Sequence, residues 1–232
     1  DARPTFIKEY SLKHTSSDVL AIANAYNLQR FHLVGHDWGS SVGWAFIAEH
    51  PERLYSWTSL SIPHMKAFQE AYRSDFDQQR KSKYIKFFNM PFFPELYLSY
   101  NGYNNLKNIW SAHDDKEKEA YLSVFRQSGA LRSALNWYRA NIGRHRNLTD
   151  HINFGIVEVP SLLIWGNMDM AIGRKSIVLN KQYMAGPYNL LELYAGHWLI
   201  QESFKDVSKA IIKHIKTYSL EYYEPQLGRK KK

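Results

Sequence analysis

The stretch Phe31-His32-Leu33-Val34-Gly35-His36-Asp37-Trp38-Gly39-Ser40 constrains this chain more than any other. An apolar run is followed at once by Gly-His-Asp-Trp-Gly and then by a helical stretch, Ser40 to Glu49, stopped by Pro51. The order is strand, sharp turn, helix, with glycines two before and two after a central Asp37. This is the form of a nucleophile elbow, in which glycines tolerate the close contacts of a strained turn and the middle side chain stands exposed at the sheet edge. The middle residue of such turns is usually Ser. An Asp there is a carboxylate nucleophile, which attacks sp3 carbon and leaves an ester that water must cleave. The alternative on these ten residues is that Asp37 simply N-caps the following helix.

The flanking sequence reads as alternating strands and helices. Val19, Leu20, Ile22, Ala23 and Tyr26 recur at helical spacing over 16–26, with Ser16 or Ser17 as N-cap. Strands are expected at 31–35, 55–62, 160–166 and 188–194, the first of them buried and continuously apolar. Helices are expected at 175–184 and 204–218. Apolar strands alternating with helices indicate a parallel sheet covered on both faces. Between Pro63 and Asn153 the composition turns helical, aromatic and charged, with breaks at Pro91, Pro94, Gly102 and Gly143 and no evident strand. We read 63–153 as a helical cap inserted into an α/β core formed by 1–62 and 154–232.

Composition narrows the classes. No run of the 232 residues approaches the ~20 apolar residues of a membrane span, and no secretory signal pattern is present. With no Cys there is no disulfide framework and no thiolate nucleophile or metal site. The net charge of +8 includes the tail Arg229-Lys230-Lys231-Lys232, and the other basic residues are scattered among acidic ones without a nucleic-acid motif. A cytoplasmic chain without a nucleic-acid partner is the expectation. The sequence opens on Asp1 rather than Met, as it would at a processing boundary.

An ester on Asp37 needs a base to activate water, and that base needs an orienting partner. His197, in Tyr194-Ala195-Gly196-His197-Trp198, follows the last strand; Asp169 follows the strand before it through Gly166-Asn167-Met168. Both loops fall on the carboxyl edge of the sheet, where Asp37 also lies, and the chain order nucleophile, acid, histidine is that of the α/β-hydrolase triad. Taken singly, Asp169 reads as a turn residue and His197 as one of ten histidines.

On these motifs, together with Ser61-Ile62-Pro63-His64 and Asn136-Trp137-Tyr138-Arg139, the chain resembles the epoxide hydrolase branch of the α/β-hydrolases, which also includes haloalkane dehalogenases. The resemblance covers essentially the whole chain. It implies an α/β-hydrolase fold, a small apolar epoxide as substrate and no cofactor or metal. Asp37, Asp169 and His197 would then be catalytic, with the backbone N–H of Trp38 as an oxyanion donor. Two cap tyrosines that hydrogen-bond the epoxide oxygen would be Tyr138 and, by a looser match in Ser82-Lys83-Tyr84-Ile85-Lys86, Tyr84. Haloalkane dehalogenation, with Trp38 as halide donor, is the alternative within the family, though it gives no reason for Asn136-Trp137-Tyr138. A truncated non-catalytic homologue is the alternative outside catalysis. Members of the family begin with further strands and a His-Gly-x-Pro loop that supplies a second oxyanion amide, and nothing here matches them. The expectation is therefore a sheet lacking its N-terminal part, weakened turnover, and self-association through the exposed edge of the first strand.

Overall fold

The structure, a computed structural model, describes residues 2–110, 113–142 and 152–228, with side chains up to 219 in the last helix. The break expected at Gly143 and the basic tail from 229 lie outside the described residues. In chain order the elements are α1 (Leu12–Ala25), β1 (Phe31–His36), α2 (Trp38–Glu49), β2 (Leu54–Leu60), α3 (Met65–Ser74), α4 (Phe76–Lys81), α5 (Lys83–Phe88), α6 (Phe93–Lys107), α7 (Asp115–Phe125), α8 (Ala130–Asn141), β3 (Ser161–Gly166), α9 (Arg174–Asn180), β4 (Tyr188–Leu193), α10 (Leu199–Glu202) and α11 (Phe204–Gly228). Packing divides them into two compact units, one of residues 1–15 and 82–151, the other of 16–81 and 152–232. The segment 63–81 therefore groups with the sheet, and residues 1–15 group with the helices, unlike the division at 63 and 153 drawn from composition.

The second unit holds a four-stranded parallel sheet in the order β1-β2-β3-β4. Because side chains alternate across a strand, β2 and β3 each feed two cores. Trp57 of β2 and Leu163 and Trp165 of β3 pack with Trp44, Phe46 and Ile47 of α2 and Ile177 of α9 on one face. Leu60, Leu162 and Ile164 pack on the other with Leu199 and Val207, backed by Ala210 and Ile211 of α11. Gly43 makes the first core possible: a Cβ there would lie 1.9 Å from the Trp57 ring.

β1 is not buried: among the described residues it pairs only with β2, so its side chains are half-buried and Val34 is exposed. The first helix starts four residues before the reading, at Leu12; Ser11 Oγ accepts the N–H of His14, while Ser16 lies inside the helix and donates to Glu49.

The first unit contains helices and no strand among its described residues. Residues 2–15 are held by α8. The Tyr10 hydroxyl donates to Pro4 O (2.8 Å) and Ser133 Oγ (2.9 Å), and Asn141 receives the N–H of Leu12 and donates to Tyr10 O. Asp114 and Glu117 form a reciprocal capping box at the start of α7. Pro94 does not break a helix but sits in the first turn of α6, where its missing N–H costs nothing. Gly102 does break one: backbone φ turns positive over Asn101, Gly102 and Tyr103.

Candidate active site

Three side chains from three strand ends meet in the sheet unit. Asp37 closes the turn between β1 and α2 with φ 52° and ψ −121°, a conformation that a non-glycine residue adopts at a cost of about 1–3 kcal/mol. Its side chain makes no cap hydrogen bond; only its carbonyl serves the helix, accepting from Ser40 and Ser41 N–H. Capping thus does not account for the carboxylate. Instead Asp37 Oδ1 lies 3.2 Å from His197 Nε2, and His197 Nδ1 lies 2.9 Å from Asp169 Oδ2.

The elbow is built from both sides. A Cβ at Gly35 would stand 2.4 Å from the carbonyl oxygen of Gly39, so only glycine lets strand and helix approach this closely. Gly39 itself is not needed for space, since a Cβ there would meet nothing within 4 Å; the expectation that both glycines relieve contacts holds for one. Ser40, fully buried, pins the turn by donating to Gly35 O (2.7 Å) and Leu60 O (3.0 Å).

Asp169 is fully buried and is both turn residue and histidine partner. Its Oδ1 accepts the N–H groups of Ala171 (2.7 Å) and Ile172 (3.0 Å), which leaves Oδ2 for His197, and Lys81 Nζ donates to its carbonyl. The His197 loop is held independently of its ring. His36 Nε2 (2.9 Å) and Ser61 Oγ (3.2 Å) donate to the His197 carbonyl, and Glu202 accepts the N–H groups of Gly196 (2.6 Å) and Trp198 (3.1 Å) on either side. Ser61 does so from φ 70°, a second strained residue in the same loop cluster. The sequence assigned no role to His36, Ser40, Ser61 or Glu202. Their roles run through backbone carbonyls and amides, which carry no motif.

The charges are strongly coupled. Burial opposes protonation of His197, yet hydrogen bonds and charge from Asp169 and then Asp37 outweigh it and push its pKa up to about 10. Asp37 is a third exposed. Its partial burial favours the neutral acid, but the His197 hydrogen bond and charge, the Trp38 backbone N–H and His36 hold its carboxyl below the usual range. His36 is lowered, first by burial and next by the charge of His197. The resting site is thus an imidazolium between two carboxylates.

A family model described as alpha/beta hydrolase fold matches residues 1–203. The chain belongs to the α/β-hydrolase family. Within it, the chain is 31% identical to human epoxide hydrolase 4 over 220 residues, which is 90% of this chain and 59% of that protein. It is 28% identical to epoxide hydrolase 3 of Xenopus tropicalis, again over 90% of this chain and 59% of the relative. The chain thus spans about three-fifths of the length of these relatives. Among solved structures, a Bacillus megaterium epoxide hydrolase bound to an inhibitor superposes with a TM-score of 0.82 at 20% identity, covering 92% of this chain and 79% of that one. The epoxide hydrolase VrEH1 of Vigna radiata gives 0.75 at 24%, covering 92% and 78%. At these identities the structures speak for the α/β-hydrolase fold.

The two tyrosines of the sequence reading lie together in the helical unit. Tyr84 of α5 and Tyr138 of α8 meet edge to face at 5.9 Å between ring centroids, and Phe88 packs edge to face on both. The rest of the Asn136-Trp137-Tyr138-Arg139 block is partly structural. Arg139 is buried, forms a two-pronged ion pair with Glu95 (2.7 and 3.0 Å), and donates to Met90 O (2.9 Å).

Proposed function

We propose that the chain hydrolyses epoxides to vicinal diols through an ester on Asp37. The observation that carries this reading is an aspartate at the strained elbow position, hydrogen-bonded to a histidine that a second, buried aspartate orients. An Oδ of Asp37 attacks an epoxide carbon and the C–O bond breaks. The departing oxygen takes its proton from a tyrosine hydroxyl, the role we assign to Tyr138 and Tyr84. Attack turns the Asp37 carboxylate into a neutral ester, removing one of the two negative partners that keep His197 protonated. The imidazolium then gives up its proton, which passes through water to the tyrosinate left by ring opening, and the neutral imidazole becomes the base that draws a proton from water. Hydroxide adds to the ester carbonyl, whose oxygen faces the Trp38 N–H, and collapse releases the diol and restores the carboxylate. The first half-reaction thereby arms the base of the second. The sequence similarity to proteins named epoxide hydrolase supports the substrate class.

The experiment is a rapid-quench reaction of parent and His197→Ala proteins with an aryl epoxide, read by peptide mapping. A covalent adduct on Asp37 that accumulates in His197→Ala is expected; an adduct on another residue overturns the assignment. Tyr138→Phe combined with Tyr84→Phe keeps both rings and removes both hydroxyls, so epoxide turnover should collapse while any haloalkane turnover survives. Equal loss of both activities would favour a dehalogenase.

A further inference from the structure

The helical unit turns an apolar face outward. Phe93, Leu96, Tyr97 and Tyr100 recur on α6 at the spacing of a single helical stripe, and they are exposed by 62, 67, 54 and 69%. Amphipathic helices normally bury such a stripe. Here the opposite side of α6 is buried as well, through Pro94 and Leu98. Phe92, just before the helix, is 76% exposed and sits at φ 63°, a conformation that a bulky aromatic residue adopts only under constraint. Met90, two residues earlier, is exposed as well. Surface apolar residues are ordinarily scattered; six large ones within eleven residues form a patch of the kind that marks an interaction site.

The charges beside the patch choose its partner. Lys83 and Lys86 are exposed one turn apart on α5, immediately before it. Between 82 and 107 the single acid is Glu95, which is turned onto Arg139 in the interior. The outward residues of 82–107 are therefore apolar and cationic, with no exposed acid among them. A second copy stacked on this face would set its lysines against these. A bilayer carrying acidic headgroups would instead meet the lysines with opposite charge and take up Phe, Leu and Tyr side chains at the headgroup–acyl boundary. We propose that the face formed by α5 and the first turns of α6 docks on an anionic lipid surface, peripherally and without a spanning helix. Among the described residues no helix is long and apolar enough to cross a membrane. The proposal does not depend on the reaction assigned above.

The test is co-sedimentation of the full chain with vesicles of phosphatidylcholine alone and of phosphatidylcholine mixed with phosphatidylserine. Binding to the mixed vesicles, roughly tenfold or more tighter than to the neutral ones, is expected. Phe92→Ser with Phe93→Ser and Leu96→Ser should abolish binding to both. Lys83→Glu with Lys86→Glu should remove the preference for the acidic lipid. All five positions are exposed, so unchanged urea denaturation of the variants serves as the control for folding. The proposal is overturned if the parent ignores both vesicles or if neither variant changes its binding. It is also overturned if the parent forms a dimer in sedimentation velocity that the serine variant abolishes while vesicles remain unbound, because a second copy would then be the occupant.

Discussion

Replacing Gly35 by Ala tests the elbow at the atom where strand and helix touch. The new Cβ would lie 2.4 Å from Gly39 O, 2.6 Å from Gly39 C and 2.8 Å from Ser40 N, all of them backbone atoms. They cannot step aside singly. Ser40 is tied to Gly35 O and Leu60 O, and the first turn of α2 hangs from Asp37 O. Restoring ordinary contact means moving that turn by the better part of an ångström against β2, and overpacking costs about 1–3 kcal/mol, towards the upper end where the contacts are backbone. That is a large share of the ~5–15 kcal/mol that holds a domain together. Gly39→Ala is the matched control. Its Cβ meets nothing, its φ is not positive, and Ala is the better helix former by up to about 1 kcal/mol. Urea denaturation should therefore show a clear drop in midpoint for Gly35→Ala and an unchanged or raised one for Gly39→Ala, at equal slopes. Equal losses, or a Gly35→Ala midpoint near the parent's, would refute the steric account of the turn.

The folded-state pKa of His197, about 10, lies above its unfolded value, so its contribution to stability is complete below pH 6.5 and fades as pH rises toward 10. The parent should lose roughly 4 kcal/mol over that window relative to His197→Gln, and the His197 ring resonance should titrate well below the parent's midpoint in Asp37→Asn; an unmoved midpoint would mean Asp37 does not hold the proton on. Glu95→Ala strands the buried Arg139 guanidinium and should cost about 2–3 kcal/mol in urea, whereas Glu119→Ala, which breaks an exposed pair with Arg126, should leave the midpoint where it is. β1 pairs on one side only among the described residues, and we expect the chain to self-associate through that edge. Sedimentation velocity should show a concentration-dependent species reduced by Val34→Lys, and a parent that stays monomeric at high concentration would contradict it.

The fold was legible wherever burial forces a pattern. Four apolar runs of strand length gave the four strands, because central parallel strands such as β3 leave no polar face to blur the signal. β1 misled for the same reason: Phe31–Val34 reads as apolar whether or not a neighbour covers it, and its position at the edge is a property of topology. The start of α1 was placed late because Leu12 to Thr15 carry little apolar periodicity and are fastened by α8, far away in sequence. In the site, Asp37, Asp169 and His197 could be read from the turns that carry them. The residues that hold the His197 loop could not, since Ser61 and Glu202 act on backbone groups that any sequence would offer. The boundary between the units was also hidden. Composition changes at Pro63, but α3 packs on α9 and so stays with the sheet.

Which atom supplies the new oxygen of the diol decides whether Asp37 is the nucleophile. A single turnover in 18O-labelled water, with protein in excess over epoxide, separates the routes. If Asp37 attacks carbon and water then attacks the ester carbonyl, the first diol released carries no label and one 18O remains in the Asp37 carboxylate, detectable in its peptide. A first-turnover diol that carries the label, with an unlabelled Asp37, would mean that water opens the epoxide directly and that Asp37 is not the nucleophile.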